Sequence, residues 1–114
     1  MTMEEQPKRA APKPVAPVEI DQVRYEVVRR ARARGFGQDG GVIAAIDLAT
    51  GKELWTLVVY RTAHDKNEER DVQERYITRL SPANDHAALR VEDEARRAFL
   101  VDLKTREVSQ ADEK

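Results

Sequence analysis

Cysteine is absent from the 114 residues, which removes disulfide frameworks, thiolate nucleophiles and thiolate metal sites together. Aromatic residues make up only 5% of the chain, so a surface for stacking nucleic-acid bases has little to draw on. No apolar run approaches the ~18 residues of a bilayer span. Neither sign of charge is in surplus. Lys+Arg 20 against Asp+Glu 21 leaves a net charge of -1, and no global pull toward nucleic acid or an anionic membrane follows. The first residues are polar and Pro-rich, unlike the basic-then-apolar pattern of an export signal, and a cytoplasmic location is expected. The length suits one domain.

Four of the five prolines (Pro7, Pro12, Pro14, Pro17) fall in the first 17 residues, among Ala, Lys and Arg. Such a stretch stays solvated and extended, so residues 1–17 are expected to form a disordered tail. Pro14-Val15-Ala16-Pro17 also matches P-x-x-P, a spacing short enough to arise by chance in Pro-rich tails. Residues 18–109 are expected to form the ordered domain, and 110–114 a disordered C-terminus.

From Ile20 onward the apolar pattern is mostly of period two. Val23, Tyr25 and Val27 alternate with Arg24 and Glu26; Val42, Ala44 and Ile46 alternate with Ile43, Ala45 and Asp47; Trp55, Leu57 and Val59 alternate with Thr56 and Val58. Val72, Tyr76 and Leu80 share a side of a further segment, and Leu89 with Val91, then Phe99, Val101 and Leu103, complete the set. Alternation of this kind marks half-buried antiparallel strands. Turn residues separate them at Gly35 to Gly41, Asp47 to Lys52, Ser81 to Asp85 and Glu92 to Ala95. The reading is all-β: a curled antiparallel meander of about six strands, with a seventh possible at Glu107 to Ser109. Its expected core holds Trp55, Val59, Ile46, Phe99 and Val101. Two segments are also compatible with helix: Glu68 to Tyr76, and Arg29 to Arg34, which Gly35 and Gly37 would stop.

Ile46-Asp47-Leu48-Ala49-Thr50 recurs as Val101-Asp102-Leu103-Lys104-Thr105. In D-L-x-T the Asp and Thr oxygens can accept backbone N–H bonds two residues on, which is the chemistry of a turn. Gly51 then tolerates positive φ. The second copy has Arg106 there and is read as one residue shorter, so a different turn is expected. Gly40 to Tyr60 (GGVIAAIDLATGKELWTLVVY) resembles a strand pair from the blades of quinoprotein-type β-propellers. Leu80 to Val108 is similar to the S-P-D-G blade unit of TolB-like propellers. The whole chain also resembles small bacterial single-domain proteins. The resemblance implies propeller-blade-like hairpins and carries no activity, because a propeller's ligand site belongs to a closed ring of at least about four blades.

Gly35-Phe36-Gly37-Gln38-Asp39-Gly40-Gly41 matches G-x-G-x-x-G. Backbone N–H groups of such a loop can cradle phosphate ahead of a helix. The lead-in here is rich in arginine, whereas the first strand of a parallel sheet is buried on both faces. Any helix after the loop would stop at Thr50-Gly51, too short to cross over a sheet. A flexible hairpin loop is therefore expected, with a nucleotide- or anion-binding loop of Gly35, Gly37, Gly40 and Gly41 as the alternative. His64-Asp65 and Asp85-His86 lack metal-ligand spacing, and Ser81 and Ser109 lack a nucleophile elbow. No metal, cofactor or enzymatic activity is expected.

Charge patterning is the remaining signal. Arg24, Arg29, Arg30, Arg32 and Arg34 against Glu26 give +4 within eleven residues. On a continuing strand Arg24, Arg30, Arg32 and Arg34 would form a row, with Ala31 and Ala33 facing the core. The expected function is a non-enzymatic interaction or structural module that binds a protein partner through this Arg-rich strand face, with self-association through an unprotected strand edge also open.

Overall fold

The computed structural model describes residues 14–61 and 75–111. Eight strands run in chain order: β1 (Val18–Ile20), β2 (Val23–Val27), β3 (Val42–Asp47), β4 (Glu53–Val58), β5 (Ile77–Ala83), β6 (Ala88–Asp93), β7 (Ala98–Asp102) and β8 (Val108–Gln110). They form two four-stranded antiparallel sheets, ordered β1-β2-β3-β4 and β5-β6-β7-β8, and neither closes into a barrel or a propeller. The all-β class stands, but the count rises from six to eight and one meander becomes two. β1 escapes a reading of sequence because its hairpin turn has no glycine: Asp21 and Gln22 adopt φ 50 and 71 themselves. Two positive φ angles match the right-handed twist of the flanking strands.

Inward side chains of both sheets share one core. Tyr25, Ile43, Ala45 and Val59 from the first half meet Leu80, Leu89, Val91, Phe99 and Val101 from the second. Trp55 joins this core half-buried, its ring 5.9 Å from that of Tyr25. β3 is buried on both faces, which the alternating pattern does not anticipate. Its Val42 and Ala44 pack beneath Ala31, Val28 and Phe36 in a second, smaller cluster. Ile46 belongs to that cluster and not to the core of Trp55 and Val59.

The two D-L-x-T turns are the same turn, contrary to expectation. Asp47 N donates to Lys52 O and Gly51 N to Asp47 O, just as Asp102 N donates to Glu107 O and Arg106 N to Asp102 O. The Asp47 and Asp102 carboxylates accept N–H bonds from Ala49 and Lys104. Lys52 N and Glu107 N donate to the Thr50 and Thr105 hydroxyls. Arg106 takes φ 66 where Gly51 has φ 77, so a charged residue fills the left-handed position. Each Leu that follows the Asp also donates to a carbonyl beside the sheet's first hairpin, Leu48 to Gln22 and Leu103 to Ala87. The sheets differ in the link between their second and third strands: fourteen residues in the first, four in the second.

Of the expected N-terminal tail, residues 1–13 lie outside the described residues. Val15 packs against the main core just before β1. At the other end Gln110 completes β8 opposite Phe99, and Ala111 N donates to Ala98 O, so order reaches past the expected boundary at 109. Among the described residues no helix is long and apolar enough to cross a membrane.

Candidate functional site, an arginine-lined cleft

The arginine row of the sequence reading does not form. Only Arg24 lies in a strand. Val28 makes the last ladder bond to Val42, after which Arg30 adopts φ 57 and ψ 43 and turns the chain out of the sheet. Ala31–Arg34 then make one 3₁₀ turn, closed by Gly35 at φ 94. Three residues per turn replaces a two-residue repeat, so Ala31 is buried while Ala33 is exposed. Helix compatibility of Arg29 to Arg34 is thus realised only as this single turn. Of the other helix-compatible segment, 68–74 lies outside the described residues, and Arg75 and Tyr76 are in neither helix nor strand.

The arginines also differ in what holds them. Arg24 Nε donates to Glu26 Oε1 at 2.9 Å. Arg34 Nη2 donates to Glu53 Oε1 at 2.7 Å, which raises its pKa. Arg32 reaches Gly37 O and faces Asp39 at 3.9 Å. Arg29 and Arg30 are exposed and have no ion pair among the described residues.

The glycines of the G-x-G-x-x-G segment are explained by the backbone. No helix follows them; Gly41 leads directly into β3. A Cβ at Gly40 would lie 2.2 Å from Arg75 O, and one at Gly41 would lie 2.9 Å from both Tyr60 Cε1 and Tyr60 O. Gly35 and Gly37, at φ 94 and 79, have open space around them and serve turns. Between them and β3, Gln38 is buried and donates its amide to Gly40 O and Tyr60 O at 2.7 and 2.8 Å. The Tyr60 hydroxyl in turn donates to Arg75 O. This knot ties the long loop of the first sheet to the chain entering the second.

Where β2 leaves the sheet, the surface opens into a cleft of about 610 Å³. Arg29, Arg30 and Arg34 line it together with Glu26, Asp39 and Gly40. Pro14, Val15 and Pro17 form one wall, and Val27, Ala44 and Ile77 add apolar surface. Three arginines and one glycine loop therefore meet in one place, although not as a row. Arg24 and Arg32 are not among its lining residues, nor are Gly35, Gly37 and Gly41. Both carboxylates of the cleft already have cations, Glu26 with Arg24 and Asp39 with Arg32. The uncompensated charge is the pair Arg29 and Arg30. Arg29 falls outside the expected row because its odd position would face the other side of a strand; the turn at Arg30 makes that parity irrelevant.

Other chemistry is thin. Among the described residues no group of three or more His, Asp or Glu side chains is placed to hold a metal ion. Asp85 and His86 are exposed in the β5–β6 turn, while His64 and Asp65 lie outside the described residues. Ser109 is exposed on β8 and shares a register row with Ser81 on β5, but β6 and β7 lie between them, about 14 Å of sheet. No known protein family matches this chain, and no curated protein is significantly similar to it.

Proposed function

We propose that this chain is a non-enzymatic interaction module that receives an acidic segment of a protein partner in the arginine-lined cleft. The observation that carries the reading is the pairing of charges there. Every carboxylate of the cleft is matched within the chain, whereas Arg29 and Arg30 are exposed without a counter-ion among the described residues. Arginine suits this role because its planar fork binds a carboxylate with two bonds while its stem covers apolar surface. The apolar walls at Val15, Val27 and Ile77 allow a partner to bury side chains beside its charges. A wedge of protein and not a phosphate is favoured, because the close approaches at Gly40 and Gly41 engage the glycine backbone in packing.

The test is fluorescence anisotropy of a labelled oligoglutamate peptide, with ATP and inorganic phosphate as competitors. The wild-type chain should bind the peptide, more weakly as salt rises. The double variant Arg29→Gln, Arg30→Gln should lose about tenfold or more, the scale of one or two charge-assisted bonds. Equal binding by both proteins, or none by the wild type, overturns the proposal. Displacement of the peptide by ATP at lower concentration than the peptide itself would favour the nucleotide-loop alternative instead.

A further inference from the structure

Two sheets of four strands leave four edges, and three of them carry features that discourage pairing with another chain. β1 has only three residues and follows Pro17. β8 also has three. β5 is longer but holds Pro82, exposes Arg79 and breaks register between Ile77 and Arg79. Short strands, proline, charge and bulges are how proteins protect sheet edges. β4 is the exception. It has six residues, Glu53-Leu54-Trp55-Thr56-Leu57-Val58, and beyond Glu53 it is uncharged, proline-free and rich in strong strand formers.

The ladder settles which groups of β4 point outward. Val59 N bonds Gly41 O, and the register pairs Ile43 with Leu57 and Ala45 with Trp55. In an antiparallel pair these alternate residues exchange bonds with β3, so the N–H and C=O groups of Thr56 and Val58 face away from it. No partner for them exists among the described residues. Leu54, the most exposed large apolar side chain among the described residues at 50%, also lies on β4.

We infer that β4 pairs antiparallel with β4 of a second copy of this chain, about a twofold axis through Thr56. The segment is complementary to itself in that register. Leu54 stands opposite Val58 of the mate and Trp55 opposite Leu57, while Thr56 faces its own counterpart and exchanges both backbone bonds with it. Glu53 falls opposite Val59, so no like charges meet. Each pair is of the apolar or Thr–Thr kind that stabilises adjacent strands. The result is one continuous eight-stranded sheet built from the first sheets of two copies, an isologous contact that closes on itself. No residue of β4 lines the arginine-lined cleft, although Arg34 of the cleft bonds Glu53, and neither proposal depends on the other.

The experiment is sedimentation velocity of the full chain from micromolar to millimolar concentration, with two variants beside the wild type. Thr56→Pro removes an N–H that the ladder to β3 does not use, so the fold should survive by circular dichroism while the outward bonds are lost. Leu54→Lys places a cation at an already exposed position opposite the mate's Val58. The wild type should show a concentration-dependent monomer–dimer equilibrium, and each variant should weaken it at least about tenfold. A wild type that stays monomeric throughout overturns the inference. So does a dimer that both folded variants form as tightly as the wild type.

Discussion

Gly40→Ala separates a packing role for the glycine loop from a ligand role. The ideal Cβ would sit 2.2 Å from Arg75 O, 2.9 Å from Arg75 C and 3.3 Å from Tyr76 Cα. All three are backbone atoms, so no side chain can rotate aside. Normal carbon–oxygen contact needs roughly 1 Å more, and overpacking of that kind costs about 1–3 kcal/mol. Moving the Arg75 carbonyl also disturbs the hydrogen bond it accepts from Tyr60, and moving Gly40 disturbs the buried amide of Gln38. Each such bond is worth about 0.5–1.5 kcal/mol, so a loss near 3 kcal/mol is expected. Gly37→Ala is the control. Its φ of 79 is strained for alanine, but nothing lies within 4 Å. The αL penalty of about 1–2 kcal/mol is partly offset by about 0.4–1 kcal/mol of reduced unfolded-state entropy, leaving a loss near 1 kcal/mol. Urea unfolding followed by the fluorescence of Trp55, the single tryptophan, measures both. A Gly40→Ala protein as stable as the wild type, or less affected than Gly37→Ala, would refute the steric reasoning.

Four further outcomes are expected. Trp55→Ala should cost about 2–3 kcal/mol by urea unfolding followed by circular dichroism, below the range for a fully buried tryptophan, since the ring is half-buried between Tyr25 and Arg106. Asp93→Ala should cost about 2–4 kcal/mol in the same measurement: its side chain is 0% exposed, pairs with Arg97 and accepts the N–H groups of Ala95 and Arg97, all of which lose their acceptor. Backbone bonds from Thr105 and Lys104 lower the Asp102 pKa. The unfolded chain therefore binds that proton more readily, and the stabilisation is complete above the ordinary carboxylate pKa of about 3.9 and lost as pH falls through the depressed folded value, so Asp102→Asn should flatten the acid limb of stability against pH. A chain beginning at Pro14 should melt higher than one beginning at Val18 by the equivalent of about 1 kcal/mol, because only the former keeps the half-buried Val15; coincident melts would remove that contact from the account.

What the sequence determined by itself was local. Period-two alternation in β2 to β4, β6 and β7 sets strand identity, because a half-buried strand must place every second side chain in the core. The D-L-x-T repeats announce turns, because Asp and Thr oxygens satisfy nearby N–H groups wherever the turn occurs. Tertiary structure decided the rest. Two meanders form instead of one because the inward faces of both need a partner, and each is the other's. The 3₁₀ turn buries Ala31 over Val42 and Ala44, so β3 is covered on both sides and the arginines leave the strand. Arg106 can occupy a left-handed position that glycine would take more readily because the same four backbone and side-chain bonds that close the Asp47 turn also close its own. The cleft at Arg29 and Arg30 exists only once the N-terminal segment, the end of β2 and the start of β5 are brought together. Such long-range closure depends on packing between residues far apart in the chain, which no local pattern encodes.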